Sequence, residues 1–175
     1  MLDSRLKIAG MTKSTMNITE QIKSKFPDGV TEISDLQGQP LVYVKRESIL
    51  ALAAALKNDP EFQFDVLMDL FAVDYLHWEE KAFRFEVVYN FYSSVKDHRL
   101  FVKVSIPEKE PVIDSVIGLW PAADWFEREV WDMFGVSFKG HPNLKRILMY
   151  DEFRGHPLRK DYAYNHRQPL IGPMN

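Results

Sequence analysis

Between Phe83 and Ile106 the side chains change character at every second residue, and this stretch decides what kind of fold the chain can adopt. Phe83, Phe85, Val87, Tyr89 and Phe91 share one face of an extended segment, and Arg84, Glu86, Val88, Asn90 and Tyr92 share the other. A polar run from Ser93 to His98 follows, and then Leu100, Val102, Val104 and Ile106 line one face of a returning segment. A period of two belongs to a pleated strand and not to a helix. The chain therefore contains a β-hairpin with a strongly apolar face. A lone hairpin is marginal in water, so further elements must cover that face.

The flanking sequence supplies them. Asn17 reads as the N-cap of a helix that carries Ile18, Ile22 and Phe26 on one side, with Glu20 completing a capping box and Pro27-Asp28-Gly29 ending it. Val30 to Ile33 alternates briefly, and Leu41 to Val44 reads as a buried strand after the Gly38-Gln39-Pro40 turn. Residues 47–57 place Ile49, Leu52, Ala53 and Leu56 on one helical face, stopped by Asn58-Asp59-Pro60. Phe64 to Leu76 reads as a second helix rich in large apolar side chains. Pro111 and Pro121 each stand where a helix can begin, predicting a short helix over 112–118 and a longer one over 121–134 ended by Gly135. The expected architecture is α+β, a small, mainly antiparallel sheet packed with helices, plus a C-terminal extended arm. The expected organisation is a flexible segment over 1–16, a core domain over 17–138 and an arm over 139–175.

The arm stands out because periodicity stops there while Leu, Ile, Tyr and Phe persist, unlike the composition of disordered tails. It holds four of the ten prolines and three of the five histidines. Charge divides at the same place. Residues 1–140 hold 16 Lys+Arg against 22 Asp+Glu, whereas 141–175 hold 6 against 3. An acidic body with a basic, aromatic arm points to acidic partners or phosphate. It argues against a dedicated nucleic-acid module, for which no recognition motif is found. No cysteine is present, so disulfides and the thiolates that hold most iron–sulfur clusters are ruled out. No run approaches the roughly 20 apolar residues of a membrane helix, and the N-terminus lacks the apolar core of a signal peptide.

The helix over 121–134 is the most informative element. Wound at 100° per residue, it sets Ala122, Phe126, Val130, Met133 and Phe134 on one arc, which should face the core. Asp124, Glu127, Arg128 and Asp132 fall largely opposite, with Arg128 and Asp132 spaced to pair, and Glu129 lies near the edge of the apolar arc. Trp131 projects among the charges. A tryptophan rimmed by charge is a common interface anchor, but an arm folding back within the chain would cover it equally well, and geometry leaves both readings open. Glu127, Glu129 and Asp132 also invite a reading as a metal site or as catalytic carboxylates, the latter as in a hydrolase using Glu127 and Asp132, yet no nucleophile or base partner accompanies them. A salt-bridged helix face explains them more simply. His141, His156 and His166 with Asp151 have spacings that match no compact metal motif.

The run Glu127-Arg128-Glu129-Val130-Trp131-Asp132-Met133-Phe134-Gly135, then Phe138-Lys139-Gly140-His141-Pro142 and Lys145-Arg146-Ile147-Leu148, resembles the signature of the C-subunit family of respiratory complex I, NADH-quinone oxidoreductase. Gly155-His156-Pro157-Leu158-Arg159-Lys160-Asp161 is similar to that family's arm. The resemblance spans roughly residues 17–165 and is to the form not fused to the large quinone-site polypeptide. It implies a structural, cofactor-free subunit of the hydrophilic arm of a proton-translocating complex. FMN and iron–sulfur clusters would sit on other subunits, and this chain would have no catalytic, cofactor-binding or metal-binding residues. The implied partners are the large quinone-site subunit, the small cluster-binding subunit and neighbouring hydrophilic-arm subunits, with no nucleic acid and no membrane span. The implied location is peripheral, at the cytoplasmic side of the bacterial inner membrane. Glu127, Arg128, Glu129, Trp131, Asp132, His141, Arg146, Arg154, Arg159 and Lys160 are the expected partner-binding residues. The equivalent subunit of a membrane-bound hydrogenase or of an F420- or ferredoxin-linked dehydrogenase is the competing expectation.

Overall fold

The computed structural model describes residues 13–169, and side chains from Ile18 onward. The expected flexible segment therefore lies, up to residue 12, outside the described residues, as do residues 170–175 of the arm. Helix α1 (Lys13–Lys25) leads into β1 (Val30–Leu36) and β2 (Gln39–Val44), then a 3-10 turn at Arg46–Ser48 and α2 (Ile49–Asn58). Strands β3 (Val66–Asp74), β4 (Phe85–Ser93) and β5 (His98–Ile106) follow. Short β6 (Val112–Asp114), α3 (Ala123–Phe134) and β7 (Ser137–Lys139) complete the regular elements. The five long strands order as β1-β2-β5-β4-β3, with only the β2/β5 pair parallel.

The β4–β5 hairpin is the middle of this sheet, in continuous register from Phe85↔Ile106 to Ser93↔His98. Phe85, Val87, Tyr89 and Phe91 from one strand and Leu100, Val102, Val104 and Ile106 from the other are fully buried. They share one core with Ile18 and Ile22 of α1, Ile49, Leu52 and Leu56 of α2, and Val130 of α3. At about 2 kcal/mol per large apolar side chain removed from water, this layer outweighs any local helix or strand preference in fixing the fold. Phe83, expected on the same strand face, precedes the strand and is exposed.

Three expectations need correction. The apolar run over 64–76 is strand β3, not a helix. Its pairing with β4 shifts register between Leu67 and Asp69, so Leu67 and Leu70, three residues apart, both reach the core. A bulge therefore reproduces the spacing of a helical face. The expected helix over 112–118 is strand β6 followed by a turn, paired in parallel with β7. The partner strand arrives only after α3, so no local pattern could announce it. Asn17 does not cap α1, because the helix already includes Lys13–Met16.

Helix α3, expected over 121–134, begins at Ala123 and leaves Ala122, expected on its core-facing arc, exposed, but it stops where expected. It ends at Gly135, whose φ of 74° is the left-handed conformation glycine adopts without strain, and whose N–H donates to Trp131 O at 2.8 Å.

Candidate functional site: the junction of α3 and the arm

The charged side of α3 is not a solvated face. Glu127 and Asp132 are both 0% exposed and Arg128 is buried, so the charges opposite the core-facing arc are covered. The arm after β7 folds back over that side of the helix. The expected Arg128–Asp132 pair does not form. Arg128 instead donates from Nε to Lys145 O at 3.0 Å and from Nη2 to Arg146 O at 3.2 Å.

Asp132 is the hub of the junction. Its Oδ2 accepts the backbone N–H groups of Ile147, Leu148 and Met149 at 3.1, 2.9 and 3.0 Å, and Arg146 Nη1 lies 2.5 Å from Oδ1. Burial alone would raise this carboxyl. The N–H groups of Met149 and Leu148, the Arg146 guanidinium and the Ile147 N–H reverse that and hold it below the usual carboxylate value. Arg146 also donates to Phe153 O at 2.8 Å and Gly155 O at 3.0 Å, so one guanidinium shapes the chain from 146 to 155 around the end of α3.

The same end of α3 receives two further ties. His156 places Nδ1 3.0 Å from Asp132 O, and Arg159 Nε donates to Phe134 O at 2.5 Å. These fill carbonyls that the last helical turn leaves without intrahelical partners. Burial lowers the affinity of His156 for a proton, which suits a ring sharing this space with two guanidinium groups. Trp131 is half-buried beneath the arm, with the Arg146 guanidinium 5.7 Å from its ring centre and the His156 ring edge-on at 6.5 Å. The arm thus covers one side of the indole and leaves the rest open.

Glu127 faces the other way, toward the turn after β6. Its oxygens accept Ser115 Oγ–H at 2.6 Å and Val116 N–H at 2.8 Å, and burial pushes the carboxyl up to about 7 against the pull of those donors. His141 is also turned inward. Its ring is fully covered, with Nε2 3.2 Å from Asp124 Oδ1 and Nδ1 accepting the Asn143 N–H.

A second cluster, which the sequence did not announce, ties the arm to the sheet. Arg84 donates to both oxygens of Asp74, at 3.1 and 3.0 Å, to Glu108 at 2.5 Å and to Asp161 at 2.7 Å, while Lys160 N–H donates to Asp74 Oδ2 at 2.9 Å. Asp161 was legible only as the last letter of the Arg159-Lys160-Asp161 arm motif. Nothing local marks Arg84 as its partner across 77 residues.

Of the expected partner-binding residues, Glu127, Arg128, Asp132, His141, Arg146 and Arg159 hold the chain to itself. Glu129, Arg154 and Lys160 are exposed. His141, His156 and His166 are not brought together, and among the described residues no group of three or more His, Asp or Glu side chains is placed to hold a metal. Outside the junction, Trp125, Leu148, Leu158 and Tyr164 present large side chains to solvent. The chemistry available is fastening. Asp132 and Asp74 are ringed by fixed donors, which holds the arm in one place along the helix and the sheet.

The fold defines the class, an α+β body with an arm fastened along one helix and the sheet, and sequence comparison gives the family. Residues 42–168 match the respiratory-chain NADH dehydrogenase, 30 Kd subunit family, and the chain belongs to it. It is 44% identical over 153 residues to the NADH-quinone oxidoreductase C subunit of Geotalea uraniireducens, covering 87% of each chain, and 42% identical to that of Roseiflexus sp., covering 86% and 85%. Among solved structures, it is similar to a trypsin-resistant fragment (1-134) of Nqo5, with a TM-score of 0.65 and 33% identity, covering 74% of this chain and 98% of that one. It is also similar to a chain in the membrane-bound sulfane sulfur reductase, an archaeal respiratory membrane complex, with a TM-score of 0.72 and 25% identity, covering 87% and 88%. No helix of the described residues is long and apolar enough to cross a membrane.

Proposed function

We propose that this chain is a structural subunit of the hydrophilic arm of a proton-translocating NADH-quinone oxidoreductase, in which electrons pass from NADH through flavin and iron–sulfur centres on other subunits to quinone. In this reading the chain carries no cofactor and performs no step of the reaction. It supports the large quinone-site subunit, lies near the small cluster-binding subunit and is held peripherally at the cytoplasmic side of the bacterial inner membrane. The observation that carries the reading is the two-sided arm. Its inner side is fixed to α3 and the sheet by Arg146, His156, Arg159 and Asp161. Its outer side offers Leu148, Leu158 and Tyr164 to solvent. Ordering so long an irregular segment costs about 1–2 kcal/mol per residue, which the inner contacts offset in part and a partner surface would complete. The absence of cysteine from the sequence fits a chain that leaves cluster binding to others.

The test is purification of the tagged full-length chain in mild detergent, with mass spectrometry of what accompanies it. The large quinone-site and small cluster-binding subunits are expected in equal amount, and a chain ending at Gly140 should recover neither. Full assembly by the shortened chain, or turnover by the isolated protein, would overturn the reading. A second reading follows from the likeness to the sulfane sulfur reductase chain: the same body and arm serving a complex with another donor or acceptor. NADH-dependent quinone reduction by the purified complex separates the two.

A further inference from the structure

The tip of the arm closes on itself. Gln168 accepts the Arg154 N–H at 2.9 Å and donates to Arg154 O at 2.7 Å and Tyr162 Oη at 2.9 Å, while Tyr150 Oη–H donates to Pro169 O at 3.0 Å. Phe153 and Tyr162 stack beneath, their ring centres 5.9 Å apart. These ties join residues 150–154 to 166–169 and leave a pocket of about 400 Å³ between them, lined by Tyr150, Glu152, Arg154, His166, Arg167 and Gln168 with Pro169. The cations of the arm divide into two sets here. Arg159 spends its donor on α3, and Arg146 divides its donors between α3 and carbonyls of the arm itself. Arg154 and Arg167 are exposed at the pocket, and among the described residues neither guanidinium has a hydrogen-bond or ionic partner. Glu152 is the one acid of the lining against the two guanidinium groups, so the pocket carries an unbalanced positive charge.

Building on the function proposed above, we infer that this pocket receives a carboxylate side chain, Asp or Glu, from a partner subunit, clamped between Arg154 and Arg167. Three features select that occupant. A guanidinium fork matches a carboxylate with two parallel hydrogen bonds. The backbone that carries Arg154 is already held by Gln168, which lowers the ordering cost of binding. The pocket has room for a side chain, while the excess of acid over base in residues 1–140 repels an extended polyanion such as nucleic acid. Arg154 and Arg167 are therefore the docking residues of the arm, and Arg146 and Arg159 its internal pins.

The test uses the assembled complex purified through the tagged full-length chain. Arg154→Lys and Arg167→Lys variants are treated with a zero-length carbodiimide, which joins an amine only to a carboxylate in direct contact. The expected product is a peptide linking position 154 or 167 to an Asp or Glu of another subunit. A link only to this chain's own acids, including its C-terminal peptide, or no link at all, overturns the inference. Arg154→Glu with Arg167→Glu should lower recovery of the other subunits by about tenfold, with Lys139→Glu, outside the pocket, as the control. Unchanged recovery sinks the pocket and leaves the proposed function standing. If the unsubstituted chain recovers no respiratory subunit, the proposed function fails and this inference falls with it. If recovery is abolished by nuclease, the pocket serves a nucleic acid and the inference is wrong.

Discussion

A Cβ at residue 135 would lie 2.5 Å from Nε2 of His156, so the left-handed turn that ends α3 is also the surface on which the arm rests. The same Cβ would meet Arg159 Nη2 at 2.5 Å. Gly135→Ala should therefore cost about 1–2 kcal/mol for the backbone conformation and more for displacing the arm. Gly140, with φ of 88° and nothing within 4 Å of its Cβ position, isolates the backbone contribution. Thermal melts should show Gly135→Ala well below Gly140→Ala. Trypsin should also cut after Arg154 and Lys160 faster in the former alone. Equal behaviour of the two variants would refute the claim that the arm needs the bare glycine.

Asp132→Asn keeps the shape of the hub and removes its charge. The amide oxygen can take part of the three N–H groups, but its NH₂ faces a donor and Arg146 loses its counter-ion in a buried site. The expected loss is about 3 kcal/mol by urea unfolding. Replacing both members, Asp132→Leu with Arg146→Met, should cost less than the sum of the single changes, because no unpaired charge remains. The carboxyl of Asp132 is held below its ordinary value of 3.8. Its contribution is therefore present above that pH and disappears as pH falls through the lowered folded-state value. A stability profile of Asp132→Asn parallel to the parent from pH 5 down to pH 2 would show that Asp132 is not such a hub.

The contrast between α3 and its surroundings shows what could be read in advance. The β4–β5 hairpin and the Gly135 stop were legible because the determinants of each lie within a few adjacent residues. Strand β3 was not, since the bulge at Leu67/Asp69 gives its buried residues the spacing of a helix. Glu127 and Asp132 were legible as chemically unusual positions but not as buried ones. Their partners are backbone N–H groups at Val116 and at 147–149, and every residue type except proline offers a backbone N–H. Trp131 marked the helix face that something covers, and the part of the arm that covers it carries no period of its own.

Glu127 gives the chain a pH dependence of opposite sign to that of Asp132. Its carboxyl titrates near 7 in the folded protein against 4.5 when free, so the folded state binds the extra proton. The associated stability is fully present below pH 4.5 and is lost as pH rises through about 7, a change on the order of 3 kcal/mol. Gln at this position still accepts from Val116 and can donate to Ser115 Oγ. Glu127→Gln should therefore gain stability relative to the parent as pH rises from 5 to 8. The difference between the two proteins is the measurement that matters, because His98 and His156, both lowered by burial, add the reverse slope in that window. A constant difference across the range would mean that Glu127 is ionised throughout.

Arg84 and Asp161 test how the arm is divided between strong and weak fastenings. Arg84 has 5% of its side chain exposed and serves three carboxylates, one of which, on Asp74, has none of its side chain exposed. Arg84→Met strands that buried charge and should cost about 3–5 kcal/mol. Asp161 is half exposed, with 50% of its side chain in water, so its pairing with Arg84 is screened. Asp161→Asn should cost less than about 1 kcal/mol in a melt. Its effect belongs instead to the arm. With Asp161 neutral, the ties of the 159–161 segment to the body are the Lys160 N–H bond to Asp74, the Arg159 bond to Phe134 O and the Arg159 guanidinium over the Phe85 ring. Amide exchange over 158–163 should accelerate severalfold while the β4–β5 amides stay protected, because local opening of the arm does not require the sheet to open. If Asp161→Asn instead loosened the β4 and β5 amides as much as those of the arm, the arm and sheet would form one cooperative unit and the division drawn between pins and body would be wrong.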